Sequence, residues 1–152
     1  MGLSNLNRGV LFDPIRSEWV KATAEEIVRQ RWIHHMVGSL GFPKELFVVE
    51  KSLSELPHLY EKKVSDRRID LLVYASFGER LIPLILIECK RGSLLPSHRE
   101  QLIGYNHHVE ALSIALVNHD AVLFGFREGL DKEYQFHDFI PSFAELNKWI
   151  VV

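Results

Sequence analysis

Two apolar runs flanking one short polar turn constrain this chain more than any other feature. Ile69 to Ala75 reads IDLLVYA and Leu81 to Ile87 reads LIPLILI, with Ser76-Phe77-Gly78-Glu79-Arg80 between them. Both runs are rich in strand formers, and the connecting segment has turn chemistry. The second run is apolar at consecutive positions, so a strand built from it must be buried on both faces. Helices are then needed on each side of the sheet, which makes the fold class α/β, a mixed sheet flanked by helices. Pro83 cannot donate to a ladder and is expected near the start of its strand. Neither run approaches the roughly 20 apolar residues that span a bilayer.

The rest of the chain supplies those helices. Thr23 followed by Glu26 is a capping-box pattern. The set Ile27, Val28, Trp32, Ile33, Met36, Val37 and Leu40 has helical spacing, and Gly41 and Pro43 end it. A second helix is expected from about Ser97 to about Leu112, and a last short one from Pro141 through Trp149. Further strands are expected at Leu46–Glu50, Ser113–Asn118, Ala121–Phe126 and, as an edge, Tyr134–His137. Residues 1–22 read as irregular, with a turn at Asp13-Pro14 and with Trp19 and Val20 docking on the domain. Residues 51–66 read as polar loop. Nothing in the pattern marks a linker or a repeat, so one domain over 1–152 is expected.

Charge and cysteine content narrow the function classes. The net charge is −2 and the isoelectric point about 6.4, so no global basic excess advertises a nucleic-acid binder. Carboxylates that hold a divalent metal would offset Lys and Arg elsewhere. The one cysteine, Cys89, cannot form an internal disulfide and fits a reducing cytoplasm. No secretory leader pattern opens the chain, and Leu6 breaks the myristoylation pattern that Gly2 would begin. No Gly-rich phosphate loop or dinucleotide fingerprint is present, which argues against an ATPase.

The chemistry concentrates at the far end of the hairpin. With the turn at Gly78 and Glu79, residues whose numbers sum to about 158 face each other, which sets Asp70 opposite Glu88. Residues two apart in a strand share a face, so Lys90 joins Glu88. Two carboxylates that close repel unless a cation or proton lies between them. Hard oxygen donors in that number suit Mg²⁺, with Mn²⁺ as a substitute. A bound metal polarises a phosphoryl oxygen and activates water, and an adjacent lysine orients that water and stabilises developing charge. The set suits phosphodiester hydrolysis. The competing reading, solvated charges at strand ends, explains any one of these residues but not their mirrored placement about one turn.

Asp70 followed by Glu88-Cys89-Lys90 after an apolar strand resembles the PD-(D/E)XK nuclease signature, with Ile69 in the place of the proline. Gln101-Leu102-Ile103-Gly104-Tyr105 resembles the QxxxY motif of one branch of that superfamily. Ala24-Glu25-Glu26-Ile27-Val28-Arg29-Gln30 and Gly41-Phe42-Pro43 resemble the start of the N-terminal nuclease domain of type I restriction enzyme R subunits, with Ala24 in the place of a proline. The resemblance covers about residues 12 to 126. It implies a restriction-endonuclease-like fold, a metal-dependent DNA endonuclease, DNA as partner, and restriction-modification subunits as further partners. Asp70 and Glu88 would bind the metal, with the Cys89 backbone carbonyl as third ligand and Glu26 as the acid from the first helix. Lys90 would be the catalytic lysine. Gln101 and Tyr105, one helical turn apart, would line the site and contact DNA or brace Lys90. R subunits also carry a motor domain and a methylase-docking region, which 152 residues do not accommodate, so a stand-alone copy is expected.

Some roles stay open at this level. Glu26 serves equally as the capping-box partner of Thr23, and Glu25 is an alternative ligand. Gln101 and Tyr105 alone would pass for helix-surface and core residues. Cys89, between two charged residues on the opposite face of the strand, reads as a small buried hydrophobe. Lys62, Lys63, Arg67 and Arg68, with Lys90, Arg91 and Arg99, supply cations for a phosphate-contacting rim, although Lys62 and Lys63 fit a solvated loop as well. The pairs His34-His35 and His107-His108 do not make a zinc site, because adjacent residues on a helix point apart and no Cys pair or HExxH accompanies them.

Overall fold

A computed structural model describes residues 9–150. In chain order these form β1 (Val10–Asp13), β2 (Glu18–Lys21), α1 (Ala24–Gly38), β3 (Phe47–Val49), β4 (Leu71–Phe77), β5 (Arg80–Cys89), α2 (Pro96–Val109), β6 (Ser113–Val117), β7 (Val122–Phe126), β8 (Gln135–His137) and α3 (Phe143–Trp149). The last six strands from β3 to β8 lie side by side in sequence order in one sheet. Every neighbouring pair is antiparallel except β5 and β6, which run parallel. A parallel pair needs a crossover, and α2 is that crossover. The architecture is therefore a mixed α/β sheet with helices on both faces.

The hairpin of β4 and β5 holds the expected register at its functional end, where Leu71 faces Ile87 and Leu72 faces Leu86. A one-residue irregularity follows between Val73 and Tyr74, so that Tyr74 faces Pro83. The irregularity falls where Pro83 cannot donate. Alternation along β4 sends Leu71, Val73 and Ala75 to the face covered by α1 and α3, where Val28, Ile33, Met36 and Leu146 meet them. Leu72 and Tyr74 go to the opposite face, under α2, with Leu102, Val109 and Leu116. Both faces of the central strands are dry, which is what the continuous apolar run requires.

Two stretches differ from the sequence-based expectation. Residues 51–66 are not a plain polar loop. They include two short 3₁₀ turns, Leu53–Glu55 and Pro57–Leu59, and Leu53, Leu56 and Leu59 are buried against the α2 face of the sheet. A leucine at every third position matches the three-residue repeat of a 3₁₀ turn, and that was the overlooked signal. Within the first 22 residues, β1 and β2 pair as a hairpin in place of irregular chain. Trp19 does not dock on the domain: it is 55% exposed and packs edge-on against Phe12 with ring centres 5.3 Å apart.

Candidate active site

The β4–β5 hairpin ends where the helix layers begin, and its charged residues meet there. Asp70 immediately precedes β4, and its Oδ2 accepts a hydrogen bond from the Cys89 N–H at 2.9 Å. The aspartate side chain thereby fastens the end of β5. Beyond that end, the Lys90 N–H donates to the Val117 carbonyl at 2.8 Å, which fixes the lysine beside the parallel strand β6. The Lys90 ammonium lies 3.9 Å from the Glu88 carboxylate. Glu88 and Asp70 are close enough for their charges to repel. Burial and the repulsion of Asp70 push the Glu88 carboxyl up to about 7, against the pull of Lys90. Asp70, Glu88 and Lys90 are thus brought together.

The first helix contributes differently from the expectation. Thr23 caps α1 by accepting from the Glu26 N–H at 3.1 Å, but the Glu26 carboxylate does not reach back to the cap. It is buried and held by Arg16 at 2.6 Å, Arg29 at 2.8 Å and Gln30 at 3.2 Å. Glu26 therefore faces guanidinium groups, and the acid of α1 that faces Asp70 is Glu25. Burial and Asp70 raise the Glu25 carboxyl above its ordinary range. Arg29, itself buried, stands between the two sets of acids. Its Nη1 holds Glu26, while Nη2 reaches Glu50 at 3.0 Å, Glu25 at 3.4 Å and Asp70 at 3.5 Å.

A cavity of about 440 Å³ opens beside Glu88 and Lys90, with Arg67, Arg68, His98, Gln101, Leu102 and Tyr105 completing its wall. Gln101 and Tyr105 both line it, from successive turns of α2. The Tyr105 hydroxyl is buried and has no hydrogen-bond partner among the described residues. Burial and the charge of Glu88 push it up to about 12, so it stays protonated and can donate. Cys89 points to the other face of the sheet, 2% exposed, and burial pushes its thiol well above the usual value. A larger cleft of about 600 Å³ lies at the far edge of the sheet between β8 and α3, lined by Phe126, Glu128, Lys132, Glu133, Gln135, His137 and Trp149. It lacks a buried acid pair with a lysine.

Among the described residues no three His, Cys, Asp or Glu side chains stand grouped as a ready metal cage. The donor set fits a hard divalent cation that keeps water and substrate oxygens in its shell, since such an ion needs only one or two protein carboxylates. The repulsion that raises Glu88 is what a cation at this point would relieve. Arg16, Arg29 and Glu50 were missed in the sequence. Arg29 carried a signal, because a helical arginine four residues after one glutamate and three after the next can pair with both.

Residues 24–141, most of the chain, match the family model described as type I restriction enzyme R protein N terminus. The chain belongs to that family. A search of curated proteins finds no match. The acid–lysine set, α2 with Gln101 and Tyr105, and the sheet that carries them all lie inside the region shared with the R-protein N-terminal family. The β1–β2 hairpin and its Arg16 precede that region. No helix among the described residues is long and apolar enough to cross a membrane.

Proposed function

We propose that this R-protein N-terminal domain is a Mg²⁺-dependent DNA endonuclease, hydrolysing phosphodiester bonds in a restriction-related role. The observation that carries the reading is the convergence of Asp70, Glu88 and Lys90 at one end of the sheet, with Glu88 driven up by burial and by Asp70. Structural carboxylates are normally neutralised, and a pair held in mutual repulsion beside a cavity marks a site that is completed by something else.

Asp70 and Glu88 would hold the ion, with the Cys89 carbonyl available as a third oxygen. When bound, Mg²⁺ would supply Lewis acidity toward a phosphoryl oxygen and a more acidic water. Lys90 would orient the attacking water and offset the charge that grows on the phosphoryl oxygens. Gln101 and Tyr105 present an amide and a phenol to the cavity in which the DNA backbone would sit. Other restriction-modification subunits are the partners this role suggests.

The test is a nicking and linearisation assay on supercoiled plasmid, with Mg²⁺ or Mn²⁺ and with EDTA as control. Cleavage should require the metal. Lys90→Ala should fold normally yet lose roughly two to four orders of magnitude in rate, the usual size of a general acid–base contribution. Equal rates in wild type and Lys90→Ala would assign any activity to another source. Inactivity of the wild type on single- and double-stranded DNA would make the domain a DNA-binding or interaction module.

A further inference from the structure

Lys90, Arg67 and Arg68 line the cavity beside Glu88, and two of these three have protein partners. Lys90 faces Glu88 at 3.9 Å. The Arg68 guanidinium donates to the Glu50 carbonyl at 2.5 Å. Arg67 is the exception. Among the described residues its guanidinium has no carboxylate within ion-pair distance, and it lies over the Tyr105 ring, 5.4 Å from the ring centre. Its backbone is anchored, because its carbonyl accepts from the Leu53 N–H at 2.9 Å. The same ring carries the buried hydroxyl that has no partner.

When ionised, Asp70, Glu88 and Glu25 carry the same sign of charge as a phosphodiester and repel it. A cation on the substrate side of the cavity answers that repulsion. A planar guanidinium stacked on an aromatic ring is already oriented and loses little freedom when it takes a phosphate in its fork. We propose that Arg67, set on Tyr105, is the residue that binds the DNA phosphate next to the cleavage point, with the Tyr105 hydroxyl as a second donor to it. This rests on the nuclease reading above. Arg67 is a substrate-binding residue, distinct from the acids and from Lys90.

The experiment measures binding apart from cleavage. A fluorescein-labelled duplex is titrated with the full chain and followed by anisotropy, in EDTA and in Ca²⁺, over a range of KCl concentrations. Arg67→Ala should weaken binding roughly tenfold, the order expected for a charge-assisted hydrogen bond. It should also reduce the slope of log K against log salt by about one phosphate contact, with an unchanged melting temperature. Arg67→Lys should restore the slope and only part of the affinity, because a lysine keeps the charge and loses the planar stack. Should Arg67→Ala melt early, Arg67→Gln keeps most of the side chain without the charge and reads the same slope. A wild-type chain that binds DNA while Arg67→Ala or Arg67→Gln shows the same affinity and slope overturns the role of Arg67 and leaves the nuclease reading standing. A wild-type chain that neither binds nor cleaves DNA overturns both.

Discussion

Two groups of carboxylates are linked through Arg29 near the start of α1, and they are built on different plans. Asp13 and Glu26 are buried and fully answered: Arg16 pairs with both, Arg29 adds a second contact to Glu26, and the Ile15 N–H donates to Asp13. Glu25, Glu50, Asp70 and Glu88 are answered less completely, by Lys90 at 3.9 Å from Glu88, by the other half of Arg29, by Arg16 at 3.7 Å from Glu50 and by the Cys89 N–H on Asp70. A buried carboxylate with its guanidinium in place is a fastener, whereas Glu88 is pushed toward neutrality by burial and by Asp70, a condition that the proposed cation would relieve. The difference separates Glu26 from Glu88, although both are acids of the expected site.

The largest way to break the comparison is to remove the group that serves both sets. Arg29→Met keeps the bulk and deletes the charge, leaving Glu26 buried with one partner fewer and Asp70 more exposed to repulsion. Losing one partner of a buried ion pair costs about 3–5 kcal/mol, and urea denaturation should show a loss of that order. A stability close to wild type would mean that Arg29 does not hold the acids together.

Metal binding should separate the two sets next. A ligand that binds only the folded chain stabilises it by about 2.7 kcal/mol at roughly 100 times its Kd, several degrees of melting temperature for a domain of this size. Mn²⁺ at millimolar concentration should raise the melting temperature of the wild type. Asp70→Asn should melt at or above the metal-free wild type and barely respond to Mn²⁺. A full wild-type shift in Asp70→Asn would exclude Asp70 as a ligand.

A pair of isosteric changes makes a finer cut. Glu26→Gln leaves two guanidinium groups facing an amide and should destabilise by about 1–3 kcal/mol, the range for unsatisfied buried polar groups. Glu88→Gln in EDTA removes a repulsion and should melt at or above wild type. If both variants lost stability equally, the two groups of acids would not differ in kind.

The mildest test uses a buried titratable group whose partners are complete. His58 donates from Nε2 to the Val109 carbonyl and accepts at Nδ1 from the Tyr74 hydroxyl, each at 2.7 Å. Burial holds its folded pKa below the ordinary value, against the pull of the Val109 carbonyl. At this ring the unfolded chain then binds more protons than the folded one as pH falls below about 6.5, so the contribution of His58 to stability should decline across that window and level off once the folded ring also protonates. His58→Gln should flatten this part of the stability-against-pH curve. A difference in stability between wild type and His58→Gln that does not change across the window would contradict the assignment, since the raised Glu88 carboxyl acts on both curves alike and in the opposite direction.

What the sequence determined alone was whatever rests on local order and period. The continuous run Leu81–Ile87 demanded a strand covered on both faces, and the turn at Gly78-Glu79 brought the register to within one residue of the pairing that sets Asp70 beside Glu88; the irregularity between Val73 and Tyr74 supplied the last step. The D…ExK spacing, α2 with Gln101 and Tyr105, and the family resemblance were legible for the same reason. Tertiary structure decided which acid of α1 faces which partner. Neighbouring helical residues project about 100° apart, so the choice between Glu25 and Glu26 depends on the roll of α1. Packing of Val28, Ile33 and Met36 on the sheet sets that roll, and Arg16 arrives from a separate hairpin to take Glu26. Tertiary structure also gave Arg67 its place over Tyr105, 38 positions later in the chain. Contacts of that range carry no period, and the energy that selects them is shared among groups that meet only after folding.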